Sequence, residues 1–126
     1  PNAETDVQLH EEKLNIPEGT KVYEIDGPYF FGIANKFDDL MHSLGDKPKV
    51  RIIRMRKVPF IDSTGIHNLE SLCYQSKREG IQLVLSGVKD NVKQTLKKAG
   101  FNNVLSDEYI CSNINEALNK AAELCK

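Results

Sequence analysis

Asp62-Ser63-Thr64-Gly65 gathers a carboxylate, two hydroxyls and a glycine between an apolar strand pattern ending near Ile61 and an amphipathic helix pattern beginning within residues 63–66. The first backbone N–H groups of a helix have no carbonyl partner and the helix dipole is positive there, so such a turn can carry or respond to negative charge. Two uses compete. Asp62 or Ser63 can serve as the N-cap, with Gly65 allowing close packing, or the hydroxyls can accept a charged group. Other chemistry is sparse. There is no G-x-x-x-x-G-K-[ST] phosphate loop and no G-x-G-x-x-G. Ser63 lacks a G-x-S-x-G elbow and a His and Asp relay. Asp38-Asp39 and Asp107-Glu108 fall where solvated carboxylates belong rather than an acid and base pair. Cys73, Cys111 and Cys125 are odd in number and share no C-x-x-C spacing, which argues for reduced thiols and against a disulfide framework or zinc site. His10, His42 and His67 are scattered and are assigned to neither metal nor catalysis. No catalytic activity, metal or cofactor is expected.

The rest of the chain must position that turn. At 126 residues, 40% hydrophobic and 28% charged, it has the size and composition of one globular domain. No apolar run approaches the roughly 20 residues that span a bilayer, and no signal peptide pattern precedes the fold. A soluble, unexported chain is expected, and the start at Pro1 points to a fragment or a processed end. The formal net charge of -1 offers no global field for nucleic acid. Locally, Lys47, Lys49, Arg51, Arg54, Arg56 and Lys57 crowd one strand. They are either solvated strand-end charges or, with Arg51, Arg54, Arg56 and Lys57 at its centre, a basic face for an acidic partner or lipid headgroups.

Residues 1–15 form an N-terminal segment with an edge strand or turn over Val7 to Leu14, and residues 16–126 form the domain. Strands are predicted over Lys21 to Ile25 and Val50 to Met55, the latter apolar on both faces with Arg51 and Arg54 reaching its ends or edges. Pro59 loosens pairing before the turn. Ile81 to Ser86 is a nearly continuous apolar run and predicts a buried central strand. Ile33, Phe37, Leu40, Met41 and Leu44 draw one helical stripe, after the Tyr29-Phe30-Phe31-Gly32 run, whose aromatics suit strand-to-helix packing better than a ligand box. Ile66, Leu69, Leu72 and Cys73 draw another, ended by Gly80. Asn91 with Gln94, and Asn113 with Glu116, read as capping boxes of two further helices. Val104 and Leu105 predict a last short strand. The alternation implies a mainly parallel sheet with crossover helices.

Phe60-Ile61-Asp62-Ser63-Thr64-Gly65-Ile66 resembles the signature of the STAS domain, which SulP-type anion transporters share with bacterial anti-sigma-factor antagonists. Motif order and spacing agree from about Lys21 to Leu124, and Ile25 to Gly32 is similar to the transporter branch. The resemblance implies an α/β fold, a small mixed and mainly parallel sheet with helices mostly on one face, and ligand or partner contacts where the Asp62 to Gly65 turn follows its strand. In the antagonist branch the hydroxyl before the motif glycine accepts phosphate, which corresponds to Thr64, with Ser63 beside it. Relatives carry a carboxylate near Arg54, a departure here. The transporter branch implies a non-catalytic cytosolic regulatory module of a sulfate-class carrier, on the cytoplasmic side of the inner membrane. Its expected partners are the carrier's own transmembrane domain, cytosolic regulatory proteins and, through the full-length transporter, a second copy. The antagonist branch implies a free-standing switch. Either allows weak nucleotide or anion binding at the helix start.

Overall fold

Val50–Lys57 forms β3, and its place inside the sheet follows from its side chains. Ile53 and Met55 enter one buried cluster, Val50 and Ile52 another, so both faces of the strand need cover. β3 has a parallel neighbour on each side: β2 (Thr20–Asp26), with Val22 opposite Ile52, and β4 (Gln82–Ser86), with Val84 opposite Ile52. β1 (Val7–Leu9) adds antiparallel to β2, giving the order β1-β2-β3-β4. The computed structural model describes residues 7–9, 15–28 and 47–126. The helix expected over Ile33 to Leu44, the Tyr29 to Gly32 aromatics, His10, His42 and Asp38-Asp39 lie outside the described residues.

Among the described residues three helices cover the sheet: α1 (Ser63–Arg78), α2 (Asp90–Lys98) and α3 (Ile114–Leu124). Leu69, Leu72 and Cys73 of α1 and Val92 and Leu96 of α2 join Tyr23, Ile25, Ile53, Leu83 and Leu85 on one face. Ala117, Leu118 and Ala121 of α3 meet Val22, Val50, Ile52 and Val84 on the other. This is the STAS-like mixed α/β architecture, with two of the described helices on one face and one opposite. Among the described residues no helix is long and apolar enough to cross a membrane.

Three local expectations are corrected. β4 is buried but not central, since among the described residues its far side carries a single parallel bridge, from Leu85 to Ile110. Its apolar run reflects cover by helices on both faces. Val104 and Leu105 form no strand; they lie between 3-10 turns at Phe101–Asn103 and Asp107–Tyr109, where Leu105 N donates to Phe101 O at 3.0 Å and closes the backbone locally. The capping box at Asn91 and Gln94 does not form. α2 begins at Asp90 with Lys89 as an N-cap lacking a side-chain bond, and Asn91 Nδ2 donates instead to Pro59 O at 2.9 Å. At α3 the cap forms as expected: Asn113 Oδ1 accepts from Glu116 N at 2.9 Å, and Glu116 Oε2 accepts from Ser112 N at 3.3 Å.

Candidate functional site

Beyond Lys57 the chain leaves the sheet, with Val58 N bonded to Met55 O at 3.0 Å. Val58 and Ile61 turn into the core while Pro59 and Phe60 face solvent, Phe60 at 47% exposure. Asp62 is the N-cap of α1 in extended conformation; its Oδ1 accepts from Gly65 N at 3.1 Å and its carbonyl accepts from Ile66 N at 2.9 Å. Ser63 and Thr64 are thereby relieved of capping. Both are exposed in the first turn, neither makes a side-chain hydrogen bond among the described residues, and His67 is exposed one turn further on.

Gly65 is buried because another loop crosses it. A Cβ there would collide with the Pro28 carbonyl oxygen and approach Ile61 Cγ1 at 2.9 Å. Pro28 follows the end of β2, and Gly27 N bonds to Lys57 O at 3.3 Å. The segments leaving β2 and β3, the start of α1 and, through Asn91, the start of α2 therefore meet at the C-terminal edge of the sheet. Ligand contacts gather at this edge in open parallel sheets.

The basic residues do not form one face. Arg51 shares the alternation of Ile53 and Met55 and is 0% exposed: its Nη1 donates to Ser76 Oγ of α1 at 3.0 Å and its guanidinium lies 5.9 Å from the Tyr23 ring centroid. Arg54, 6% exposed, follows the alternation onto the opposite face. Arg51 and Arg54 are thus corrected from surface or strand-end residues to buried ones. Lys47 Nζ donates to Glu79 O at the end of α1, at 3.1 Å. Arg56 and Lys57 are exposed and converge on Glu24 of β2, with Arg56 Nε and Nη2 at 2.8 and 3.3 Å from its two carboxylate oxygens and Lys57 Nζ at 3.7 Å. Sequence reasoning missed Glu24. It is the register partner of Arg54 on the neighbouring strand. The signal for Arg51 was available in the period-two pattern it shares with Ile53 and Met55.

Burial pushes the Cys73 thiol up to about 12, with Glu70 adding to the rise. Burial also raises Cys111 and Tyr23, the latter against the opposing Arg51 charge. These buried thiols are poor nucleophiles at neutral pH, because the thiolate is the reactive form. No group of three metal-ligating side chains occurs among the described residues.

A small mixed sheet with a helix capped by Asp62 at its C-terminal edge and two exposed hydroxyls at its first turn is the architecture of a small α/β domain. The family model of the STAS domain matches residues 13–121, and the chain belongs to the STAS domain family. The "Putative sulfate transporter YvdB" of Bacillus subtilis (strain 168) is 31% identical over 80 residues, which cover 63% of this chain and 15% of that protein. The chain thus spans a small part of that relative's length. A sulfate transporter family protein from Wolinella succinogenes is 38% identical with a TM-score of 0.80, covering 92% of this chain and 95% of that one. The STAS domain of a SulP transporter from Vibrio cholerae is 33% identical with a TM-score of 0.76, covering 86% and 85%. The anti-sigma factor antagonist SpoIIAA in its unphosphorylated form shares the fold alone, at 13% identity and a TM-score of 0.61 over 93% of this chain and 96% of that one.

Proposed function

We propose that this chain is the non-catalytic cytosolic STAS module of a SulP-type anion carrier of the sulfate class. The module contacts its partners through the start of α1. The observation that carries the proposal is the division of labour at the turn. Asp62 holds the helix while Phe60, Ser63 and Thr64 are presented to solvent beside it. The similarity to SulP STAS domains, at identities of 33% and above, supports the transporter branch. In this role the module binds the carrier's own transmembrane domain or cytosolic proteins on the cytoplasmic face of the membrane. The membrane part performs the transport.

The test is to extend the reading frame upstream of Pro1 and to assay anion uptake by the full chain. The expected outcome is a series of apolar spans of about 20 residues each, with uptake that changes on substituting Phe60→Ala. A methionine start a few residues upstream overturns the transporter assignment. The exposed hydroxyls favour one alternative, a free-standing antagonist switched by phosphorylation at Thr64, with Ser63 as the neighbouring acceptor. Thr64→Asp and Thr64→Ala then differ in partner affinity at equal helix content, and equal affinity removes that mechanism.

A further inference from the structure

We propose that a second site, the cleft between α2 and the segment 102–110, binds a small phosphate monoester of a polyol, of the sugar phosphate class. The amphipathic pattern of α2 builds one wall. Val92 and Leu96 point into the core, which turns Asp90, Lys93, Gln94 and Lys97 toward the cleft. Asn102 and Asp107 form the other wall, and buried Ile110 completes it. The two lysines stand four residues apart, so their ammonium groups emerge on one side of the helix.

Both signs of charge line this cavity, yet they do not neutralise each other. Among the described residues, Asp90, Lys93, Lys97 and Asp107 make no ion pair, and Gln94 and Asn102 make no side-chain hydrogen bond. Ammonium groups and carboxylates held apart around one cavity suit a guest that carries an anion and hydroxyl donors together. A phosphate takes charge-assisted hydrogen bonds from Lys93 and Lys97. Sugar hydroxyls donate to Asp90 and Asp107 and exchange hydrogen bonds with the two amides. Size and lining narrow the class further. The volume of about 310 Å³ lies at the small end of the roughly 300–1,000 Å³ typical of ligand pockets. No aromatic side chain is among the described lining residues, so nothing there offers a stacking surface to a nucleobase.

The experiment is isothermal titration of the chain at low salt with ribose 5-phosphate and, separately, inorganic phosphate. Ribose 5-phosphate is expected to bind saturably. Lys93→Gln and Lys97→Gln each weaken it about tenfold. Asp107→Asn weakens ribose 5-phosphate severalfold while leaving inorganic phosphate unchanged or tighter. Asp107 and Lys97 are exposed and Lys93 half-buried, so circular dichroism should report unchanged folding for all three variants. Absence of saturable binding at millimolar ribose 5-phosphate overturns the site, as does affinity retained in the double lysine variant. Equal responses of the two probes to Asp107→Asn overturn it too, because the carboxylates would then contribute no recognition.

Discussion

Replacing Gly65 with alanine tests how the turn is assembled, because two effects of opposite sign meet in one methyl group. Alanine is favoured over glycine inside a helix by about 0.8–1.0 kcal/mol, and less in the first turn. Against that, the new Cβ would strike the Pro28 carbonyl oxygen and sit 2.9 Å from Ile61 Cγ1. The first of these neighbours is backbone, in a turn tied to β3 by the Gly27 N to Lys57 O bond, and cannot swing aside as a side chain tip would. Overpacking of this kind costs about 1–3 kcal/mol. The clash therefore outweighs the helix gain, and a net loss of about 1–2 kcal/mol is expected, or roughly 4–8 °C in Tm for a domain of this size. Urea and thermal unfolding of Gly65→Ala measure it, with Thr64→Ala as the control. Thr64 is exposed and adjacent, and its variant should stay within about 0.5 kcal/mol of wild type. A Gly65→Ala chain as stable as wild type, or more so, would refute the argument that the Pro28 carbonyl dictates this glycine.

Two further outcomes follow from the core. The folded chain keeps the Cys73 proton up to about pH 12, whereas the unfolded thiol loses it near 9.0. The stability this contributes is complete below pH 9 and declines as pH rises toward 12, by up to about 1.4 kcal/mol per pH unit. Urea midpoints should therefore drop between pH 8 and pH 10.5, and less in Cys73→Ala; an identical drop in the variant would exclude this thiol as a cause. Ser76→Ala removes the acceptor of Arg51 Nη1 from a fully buried site and should cost about 1–3 kcal/mol in chemical denaturation. A loss below about 0.5 kcal/mol would mean that the bond does not hold α1 to β3.

Where hydrophobic period alone decides the outcome, the sequence discloses the structure. Ile53 and Met55 against Val50 and Ile52 place β3 inside a two-sided sheet, and Leu69, Leu72 and Cys73 mark the inward face of α1. Long-range partners are invisible to that reasoning. Asn91 looks like a local capping residue until the free Pro59 carbonyl is brought beside it from 32 positions away. Ile81 to Ser86 carries the composition of a central strand because two helix layers bury it, although its outer edge has a single bridge. The basic run misleads for the same reason. Strand residues an odd number apart face opposite sides, so Arg51 is drawn under α1 and Arg54 goes to the α3 side, while Arg56 and Lys57 are held by Glu24. At the turn, spacing alone left Asp62 and Ser63 as equal candidates for the cap. The extended backbone of Asp62 and its bond to Gly65 N decide between them.

That decision shapes what the turn can do. Had Ser63 been the cap, any group added to its hydroxyl would have competed with the first turn of α1 for the same oxygen. With Asp62 in that position, no hydrogen bond of the helix depends on the side chain of Ser63 or Thr64. A phosphate on Thr64 would add about −1.5 to −2 charges within the first turn. The positive helix end, equivalent to about half a charge, attracts it, and the Asp62 carboxylate repels it. The two influences on stability oppose each other, and among the described residues the first turn holds no basic residue while Arg56 and Lys57 are engaged with Glu24, so none of these cations neutralises the added charge. Under the proposed function, a modification here would change what a partner meets at the start of α1 more than it would change the fold beneath.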